Sequence, residues 1–362
     1  MTLFTPLKVG ALELPNRVLM APLGRARASV DTREPTASVA TYYRQRASAG
    51  LIISEATHVA PDSVSRPGTA AIHTAGQVEA WRNVTAAVHD AGGRIFQQLF
   101  HLGRKADPAR LPYAGLPKAP SPIAARGEFS TPSGPRRFPI PRALEPGEIP
   151  TLLQQFGTAT SNARRAGFDG VEIHAANGFL IDQFLRDGAN QRRDAFGGDV
   201  AARARFLLAV VDTAIAVAGS DRVGVRLSPH ANADGTTDSD PTNTFGYAAE
   251  RLNERKIAYL HLIEPVTTPS AEQVGHVIRR AFHGPLVLCG GFTRETADAA
   301  LAEGRADLIA FGVGFIANPD LVARLQQNAA WNTPDPSSYY SGGDQGYIDY
   351  PFLEPASLSA AE

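Results

Sequence analysis

The chain alternates short, almost continuously apolar runs with longer segments of mixed polarity. The short runs predict eight β-strands, at residues 17–22, 51–56, 94–100, 170–174, 223–228, 259–263, 285–288 and 308–311. Continuous apolar runs are typical of parallel strands that are covered on both faces. The segments between them predict eight helices, at residues 37–49, 77–91, 149–166, 201–217, 244–254, 271–282, 294–303 and 319–327. This alternation predicts an α/β fold, a single (β/α)8 (TIM) barrel domain over residues 1–362.

Three further segments complete the predicted architecture. Residues 4–14, with Gly10 at the turn, predict an N-terminal β-hairpin that plugs the lower mouth of the barrel. Residues 101–148, after the third strand, form a long proline-rich stretch, which predicts a capping loop over the active face. Residues 329–362 predict a C-terminal coil tail. An open doubly wound sheet is the alternative, but no Gly-x-Gly-x-x-Gly follows the first strand.

Composition narrows the class of partner. The 362 residues are 43% hydrophobic and 20% charged with a net charge of −1, so a sizeable core is expected and nucleic acid or a membrane is not an expected partner. Cys289 is the single cysteine, and the N-terminus lacks the features of a signal peptide. We therefore expect a cytoplasmic protein, a monomer or homodimer, that acts on a small molecule.

The end of the fourth predicted strand carries the clearest chemistry. His174 and Asn177 lie three residues apart where the strand stops, and Gly178 turns the chain. Two neutral hydrogen-bond donors there can hold one oxygen and polarise a carbonyl or nitro group. The next side chain, Phe179, supplies no proton. The remaining histidines show no metal-ligand spacing, so no metal site is expected.

Other strand ends favour a phosphorylated, ring-bearing cofactor. Gln98 can both donate and accept hydrogen bonds, and Arg226 offers a permanent cation. The ends of the seventh and eighth strands are glycine-rich, and barrels commonly build a phosphate site there. The candidate cofactor-binding residues are Ala21, Pro22, Leu23, Gly24, Ala56, Gln98, Arg226, Gly290, Gly291, Gly312 and Val313.

With these strand ends, residues 42–57, 142–145, 315–321 and 346–351 give the chain a resemblance to the Old Yellow Enzyme family of flavin-dependent ene-reductases. The resemblance implies FMN, reduced by NAD(P)H, and transfer of hydride to an activated alkene such as an enone or enal. It places the first-strand residues, Ala56, Gln98 and Arg226 around the flavin, and the glycines and Val313 near its phosphate. It also implies that His174 and Asn177 hold the substrate oxygen and that Tyr347 lines the pocket.

Five positions depart from the family pattern. Gly24 stands where a threonine or cysteine bonds the flavin, Phe179 replaces the proton-donating tyrosine, and Phe100 replaces a pocket tryptophan. Arg66 stands where an aromatic residue is usual, and Val313 replaces the arginine that pairs with the phosphate. Loss of an arginine–phosphate pair costs roughly 1.5–3 kcal/mol, so FMN is expected to bind more loosely. A carboxylate on the natural substrate would explain Arg66.

Two alternatives stay open beside alkene reduction. Phe179, together with the larger pocket that Phe100 leaves in place of a tryptophan, also favours redox-neutral or reverse chemistry on the same scaffold. Examples are a biosynthetic isomerase, desaturase or cyclase. Gly24 and Val313 favour a non-catalytic ligand-binding barrel with weak flavin binding. Each residue also has a purely structural interpretation. His174 and Asn177 could form hydrogen bonds that only hold the strand end, and Arg226 could be part of a structural ion pair. Arg66 could be a solvated surface charge, and Phe100 and Phe179 could serve only in packing.

Overall fold

Eight parallel strands close into a barrel in the computed structural model, which describes residues 2–64, 66–112, 115–131, 134–264 and 269–354. Each strand pairs with the next along the chain, and the eighth pairs with the first. The predicted (β/α)8 barrel is therefore confirmed. The barrel strands are Val18–Met20, Leu51–Ile53, Ile95–Phe100, Gly170–Ala175, Val223–Leu227, Tyr259–Ile263, Leu286–Cys289 and Leu308–Phe311. Whether residues 1–362 form a single domain stays a prediction.

Most strand positions are apolar on both sides because each side faces a different core. Leu19, Leu51 and Phe96 belong to the cluster inside the barrel. Their neighbours Met20 and Ile52 belong to the larger cluster between the strands and the surrounding helices. Since side chains alternate across a strand, a strand buried on both faces must be apolar at nearly every position.

The eight predicted helices are present with shifted ends, and two short α-helices in the described part of the chain were not predicted. Leu180–Leu185 and Val313–Ala317 directly follow site residues and are too short to show a helical period. The last predicted helix, at 319–327, begins only at Leu321. The other helices are Ala37–Gln45, Ala75–Asp90, Ile149–Arg165, Val200–Ala218, Pro241–Glu254, Pro269–Ala281 and Arg294–Ala302.

The N-terminal hairpin pairs Leu7–Val9 with Leu12–Leu14 and closes the lower end of the barrel. Val9 and Leu14 join the cluster inside the barrel. The backbone N–H of Ala11 donates to the carbonyl of Asp221, just before the fifth strand. Gly10 has a φ of +54°, and a Cβ there would lie 2.0 Å from that same carbonyl oxygen, so the turn requires glycine.

The capping segment after the third strand contains more regular structure than a loop. Glu128–Thr131 and Gly134–Arg137 form an antiparallel hairpin, and Lys118–Ala119 pairs with Arg142–Ala143. In the tail, the described residues from 329 to 354 are coil apart from a short 3-10 turn at Pro336–Ser338, and residues 355–362 of the predicted tail lie outside the described part. No helix among the described residues is long and apolar enough to cross a membrane.

Candidate active site

A cavity of about 400 Å³ opens at the carboxyl ends of the barrel strands. This volume is within the usual range for small-molecule sites. Most of its wall comes from predicted site residues, joined by residues of the capping segment and the tail. The lining residues are Pro22, Gly24, Ala26, Ala56, His58, Arg66, Thr69, Gln98, Phe100, Leu102, Lys105, Phe129, Phe138, His174, Asn177, Phe179, Arg226 and Tyr340.

His174 presents a neutral imidazole to this cavity. Burial, together with the charges of Arg226, His261 and Lys105, holds the pKa of His174 well below its ordinary value. The backbone N–H of Ala176 donates to His174 Nδ1 at 3.3 Å. In a neutral imidazole whose Nδ1 accepts, the proton is on Nε2. His174 can therefore donate a hydrogen bond from Nε2 to an oxygen without ionising it.

Asn177 is held in a left-handed turn directly after this strand. Its φ is +58°, a conformation that asparagine tolerates better than most residues. Its backbone N–H donates to Ser228 Oγ at 2.8 Å. The following N–H, of Gly178, donates to Asp182 Oδ2 at 2.8 Å, and Asp182 is in turn paired with the buried Arg186. The turn is thus fixed from two sides, which orients the Asn177 amide along the cavity wall.

A buried carboxylate, Glu172, organises the residues beneath the cavity. It accepts hydrogen bonds from Gln98 Nε2 at 2.7 Å, Tyr259 Oη at 3.1 Å and His261 Nδ1 at 2.9 Å. Burial raises the pKa of Glu172, but His261, Arg226 and Gln98 outweigh burial and leave that pKa below its ordinary value. The ionised carboxylate therefore fixes the Gln98 amide and partly balances the charge of Arg226.

Arg226 keeps hydrogen-bonding capacity for a ligand. Its register places it beside His174 on the neighbouring strand. Its Nη2 makes only a long contact of 3.7 Å with Cys289 Sγ, and its buried Nε has no partner in the described part of the chain. A buried guanidinium with a free N–H suits an electron-rich ring edge.

Glycines at the strand ends leave room for a flat, phosphorylated cofactor. A Cβ at Gly24 or at Gly291 would meet no described atom within 4 Å, and Gly291 has a φ of +88°. Gly312 lies beside the first strand's end, since a Cβ there would be 3.6 Å from Leu23 and 4.0 Å from Ala21. With Arg226 and Gln98 at the other edge, these residues fit a flavin mononucleotide.

The predicted phosphate residues do not line the cavity itself. Gly290 and Gly291 follow the seventh strand, and Val313 begins the five-residue helix Val313–Ala317. The Val313 side chain is 56% exposed. An apolar side chain there offers a phosphate neither a charge nor a hydrogen bond.

Phe179 and Phe100 form an apolar wall beside His174. Phe179 meets His174 edge to face, and its ring centroid lies 5.1 Å from that of Phe100. Phe100 stacks on His58 with a centroid separation of 4.6 Å. His58 is a cavity residue that the sequence did not single out, and burial holds its pKa well below the ordinary value.

Tyr347 does not line the cavity, contrary to the sequence-based expectation. It is fully buried, stacked on Tyr42 at 4.2 Å between ring centroids, with the guanidinium of Arg27 5.0 Å from its ring. The tyrosine that does line the cavity is Tyr340, seven residues earlier. Arg66 lies at the same mouth, with its guanidinium 4.0 Å from the Tyr340 ring centroid.

Lys105 is a cationic lining residue that the sequence did not indicate. It ends the 3-10 turn Gly103–Lys105 after the third strand, where no motif or spacing marks it. The apolar additions to the wall are Ala26, Leu102, Phe129 and Phe138, of which the last two pack against each other in the capping segment. These contacts depend on how connecting segments fold back over the barrel.

A (β/α)8 barrel with a hydrogen-bond-donor pair, an arginine and an open glycine cradle at its carboxyl face defines a flavin-dependent oxidoreductase. The chain belongs to the NADH:flavin oxidoreductase / NADH oxidase family, also called the Old Yellow Enzyme family, whose model matches residues 2–332. It is an enzyme that uses FMN and NAD(P)H.

Relatives agree over nearly the whole chain. The chain is 40% identical to 12-oxophytodienoate reductase 1 of Oryza sativa subsp. japonica, over 97% of this chain and 93% of that protein. It is also 40% identical to a probable flavin mononucleotide-dependent alkene reductase of Leishmania infantum, over 96% of each. Morphinone reductase in complex with tetrahydroNAD is a similar solved structure, with 46% identity, a TM-score of 0.94 and 98% of each chain covered.

Proposed function

We propose that this enzyme reduces the carbon–carbon double bond of an activated alkene, such as an enone or enal, with hydride that originates from NAD(P)H. The observation that carries the proposal is the neutral His174, whose accepting Nδ1 leaves Nε2 as a donor into the cavity. Asn177 supplies the second donor beside it. When bound, FMN supplies the hydride that it has accepted from the nicotinamide.

The protein's own contribution is to bind and polarise the acceptor. His174 and Asn177 would share the acceptor's carbonyl oxygen, and negative charge that grows on this oxygen strengthens both hydrogen bonds. Arg226 and Gln98 would hold the pyrimidine edge of the cofactor. The wall of Phe100 and Phe179 excludes water from one side of the reacting carbons.

The lining charges indicate which alkenes fit best. Among the lining residues that the structure describes, Arg66, Lys105 and Arg226 are cationic and none is acidic. Arg66 is exposed and lies against Tyr340, so we assign it to the end of the substrate that is distant from the reacting carbons. We therefore propose that the natural substrate carries a carboxylate or similar anionic group.

A second candidate function is redox-neutral or reverse chemistry on the same scaffold, as in an isomerase, desaturase or cyclase. The observation that favours it is the ring of Phe179, which carries no hydroxyl and packs on His174 and Phe100. The non-catalytic alternative is wrong, because the family and its relatives are enzymes.

Product analysis separates the two functions. The purified enzyme is incubated anaerobically with NADPH and 2-cyclohexenone, and the products are identified by gas chromatography with mass spectrometry. Cyclohexanone formed in equal amount to the NADPH consumed is the expected result. Conversion of unsaturated compounds without NADPH consumption would overturn the reductase proposal and favour the second function.

We also propose that the protein is located in the cytoplasm and that it is a monomer or a homodimer.

A further inference from the structure

A cation lies against the ring that replaces the usual proton donor. The Nζ of Lys105 is 4.8 Å from the ring centroid of Phe179, and both side chains line the cavity. We propose that Lys105 is the general acid that protonates the alkene's α-carbon in this enzyme. The inference rests on the proposed alkene reduction, and it assigns the proton that Phe179 cannot supply.

The turn that carries Lys105 is locked in place. Gly103 has a φ of +60°, and a Cβ there would lie 2.2 Å from Gln183 Oε1, so the turn closes directly on that side chain. Gln183 also accepts from the Arg104 N–H at 3.2 Å and donates to the Leu102 carbonyl at 3.0 Å. These three contacts fix the backbone of the turn, so the point from which the flexible Lys105 side chain extends does not move.

The ammonium group itself is held on two sides. It pairs with the Asp234 carboxylate and donates to the Asn177 carbonyl at 3.4 Å. Asn177 is one of the two residues that would bind the substrate oxygen. Lys105 is therefore tied to the same turn that orients the substrate, and its side chain is only 15% exposed.

The proposed step balances protons and electrons. As the β-carbon gains the hydride that bound FMN would supply, His174 and Asn177 hold the oxygen on which negative charge grows. In the same step an N–H bond of the Lys105 ammonium breaks as a C–H bond forms at the α-carbon, so the two transfers are coupled and a neutral amine remains. The amine regains its proton from water by way of Asp234, whose side chain is 37% exposed. An ammonium is a much stronger acid than the α-carbon of a ketone, so the transfer is favourable.

The other described polar residues of the wall are less suited. The Nε2 proton of His174 is committed to the substrate oxygen, and the guanidiniums of Arg66 and Arg226 act as cationic hydrogen-bond donors. The Thr69 hydroxyl donates to the Arg66 carbonyl at 2.8 Å. Both ring nitrogens of His58 are engaged, Nδ1 with Ser63 Oγ at 3.3 Å and Nε2 with Thr69 Oγ1 at 2.9 Å. Tyr340 is the remaining candidate acid, but it lies at the mouth against Arg66 and is 55% exposed.

The experiment measures the reaction of reduced enzyme with 2-methyl-2-cyclohexenone by stopped-flow absorbance and the enantiomeric excess of the 2-methylcyclohexanone product. The variants are K105M, which removes the acid, and K105R, which keeps the cation and a partner for Asp234. Both should react about 100-fold more slowly, since a positioned general acid contributes about 10²–10⁴-fold. Both should also lose product enantiomeric excess, because water then protonates from either face. Reaction with benzoquinone, which needs no proton at carbon, is the internal reference.

Three outcomes would overturn the inference. The first is a K105M rate and enantiomeric excess equal to those of the wild type. The second is a K105R variant with the wild-type rate and enantiomeric excess, which would show that the charge of Lys105 and not its proton matters. The third is a slower rate and lower enantiomeric excess in Y340F, with neither change in K105M. In the F179Y/K105M double variant, the tyrosine should restore both readouts. Failure of the wild type itself to reduce the enone would instead overturn the proposed function, and this inference with it.

Discussion

The imidazole of His174 and the ring of Phe179 meet edge to face, with centroids 4.9 Å apart and an interplanar angle of 89°. The residue that would activate the substrate oxygen thus packs directly on the residue that cannot protonate the substrate carbon. Lys105 contacts the same phenylalanine ring. Activation of the acceptor and its protonation are therefore assigned to residues on different segments of the chain, the fourth strand end and the capping segment.

Removal of the oxygen-binding donors should abolish most alkene reduction. We expect H174A to lower kcat/KM for 2-cyclohexenone by about 10²–10³-fold, the typical cost of losing one oxyanion donor. H174N, which keeps a neutral N–H donor in the same direction, should recover part of that loss. Steady-state kinetics at saturating NADPH checks this. Equal activity of H174A and the wild type would show that the Nε2 donor plays no part.

A cation at position 313 should tighten FMN. Val313 begins a short helix and is largely exposed, so an arginine there can be accommodated without burying its charge. V313R should lower the Kd of FMN by about 10–100-fold, as expected for a charge-assisted arginine–phosphate pair. V313Q is the matched control, because it adds a long polar side chain without charge. The measurement is flavin fluorescence during titration of apoprotein. Equal affinities of the arginine and glutamine variants would contradict the prediction.

The barrel and much of the site could be predicted because both depend on local sequence. Each barrel strand is a separate apolar run, and residues at the strand ends, such as His174, Gln98 and Arg226, must meet at one face of the barrel. This logic needs no knowledge of the connecting segments. It reaches only the residues that the strands themselves carry.

The residues that were missed lie on connecting segments placed by long-range contacts. Lys105 reaches the cavity because its turn closes on Gln183, which is 78 positions away along the chain. Tyr340 reaches it through a tail that the buried Arg25 anchors, by donating to the carbonyls of Tyr339 and Gly346. The stretch around Tyr347 matched the family, but a local match does not show which of two tyrosines faces the cavity.

Glu55 should make the protein less stable as pH rises. Burial raises the pKa of Glu55 to about 8, although Arg25 and Arg27 lower it, and neither carboxylate oxygen has a side-chain hydrogen-bond partner in the described structure. Between about pH 4.5, its ordinary pKa, and about pH 8, the folded chain holds a proton that the unfolded chain releases. The free energy of unfolding should therefore fall with rising pH, by at most about 1.4 kcal/mol per pH unit.

The E55Q variant should remove this decline. Urea unfolding followed by circular dichroism at about pH 6 and about pH 8 measures the effect. E148Q is the control. The pKa of Glu148 is lowered to about 2, mainly by its hydrogen bond with Arg142, so Glu148 is ionised throughout this range. A pH dependence in E55Q as steep as in the wild type would show that another group causes the decline.

Arg66 should discriminate between anionic and neutral substrates. We expect R66M to raise KM about 10-fold for an enone that carries a carboxylate away from the double bond, because a partly exposed charge-assisted contact is lost. KM for 2-cyclohexenone should change little. R66K keeps the charge, so its KM for the carboxylated substrate should lie between those of the wild type and R66M. An equal rise in KM for both substrates in R66M would indicate a general packing role at the mouth.

This cavity should hold FMN and pass hydride from NADPH to an enone. The most direct measurement is the visible absorption spectrum of the purified protein, recorded anaerobically before and after NADPH and then after 2-cyclohexenone. We predict a flavin band that bleaches with NADPH and returns with the enone. A band that bleaches but does not return with the enone would contradict the claim.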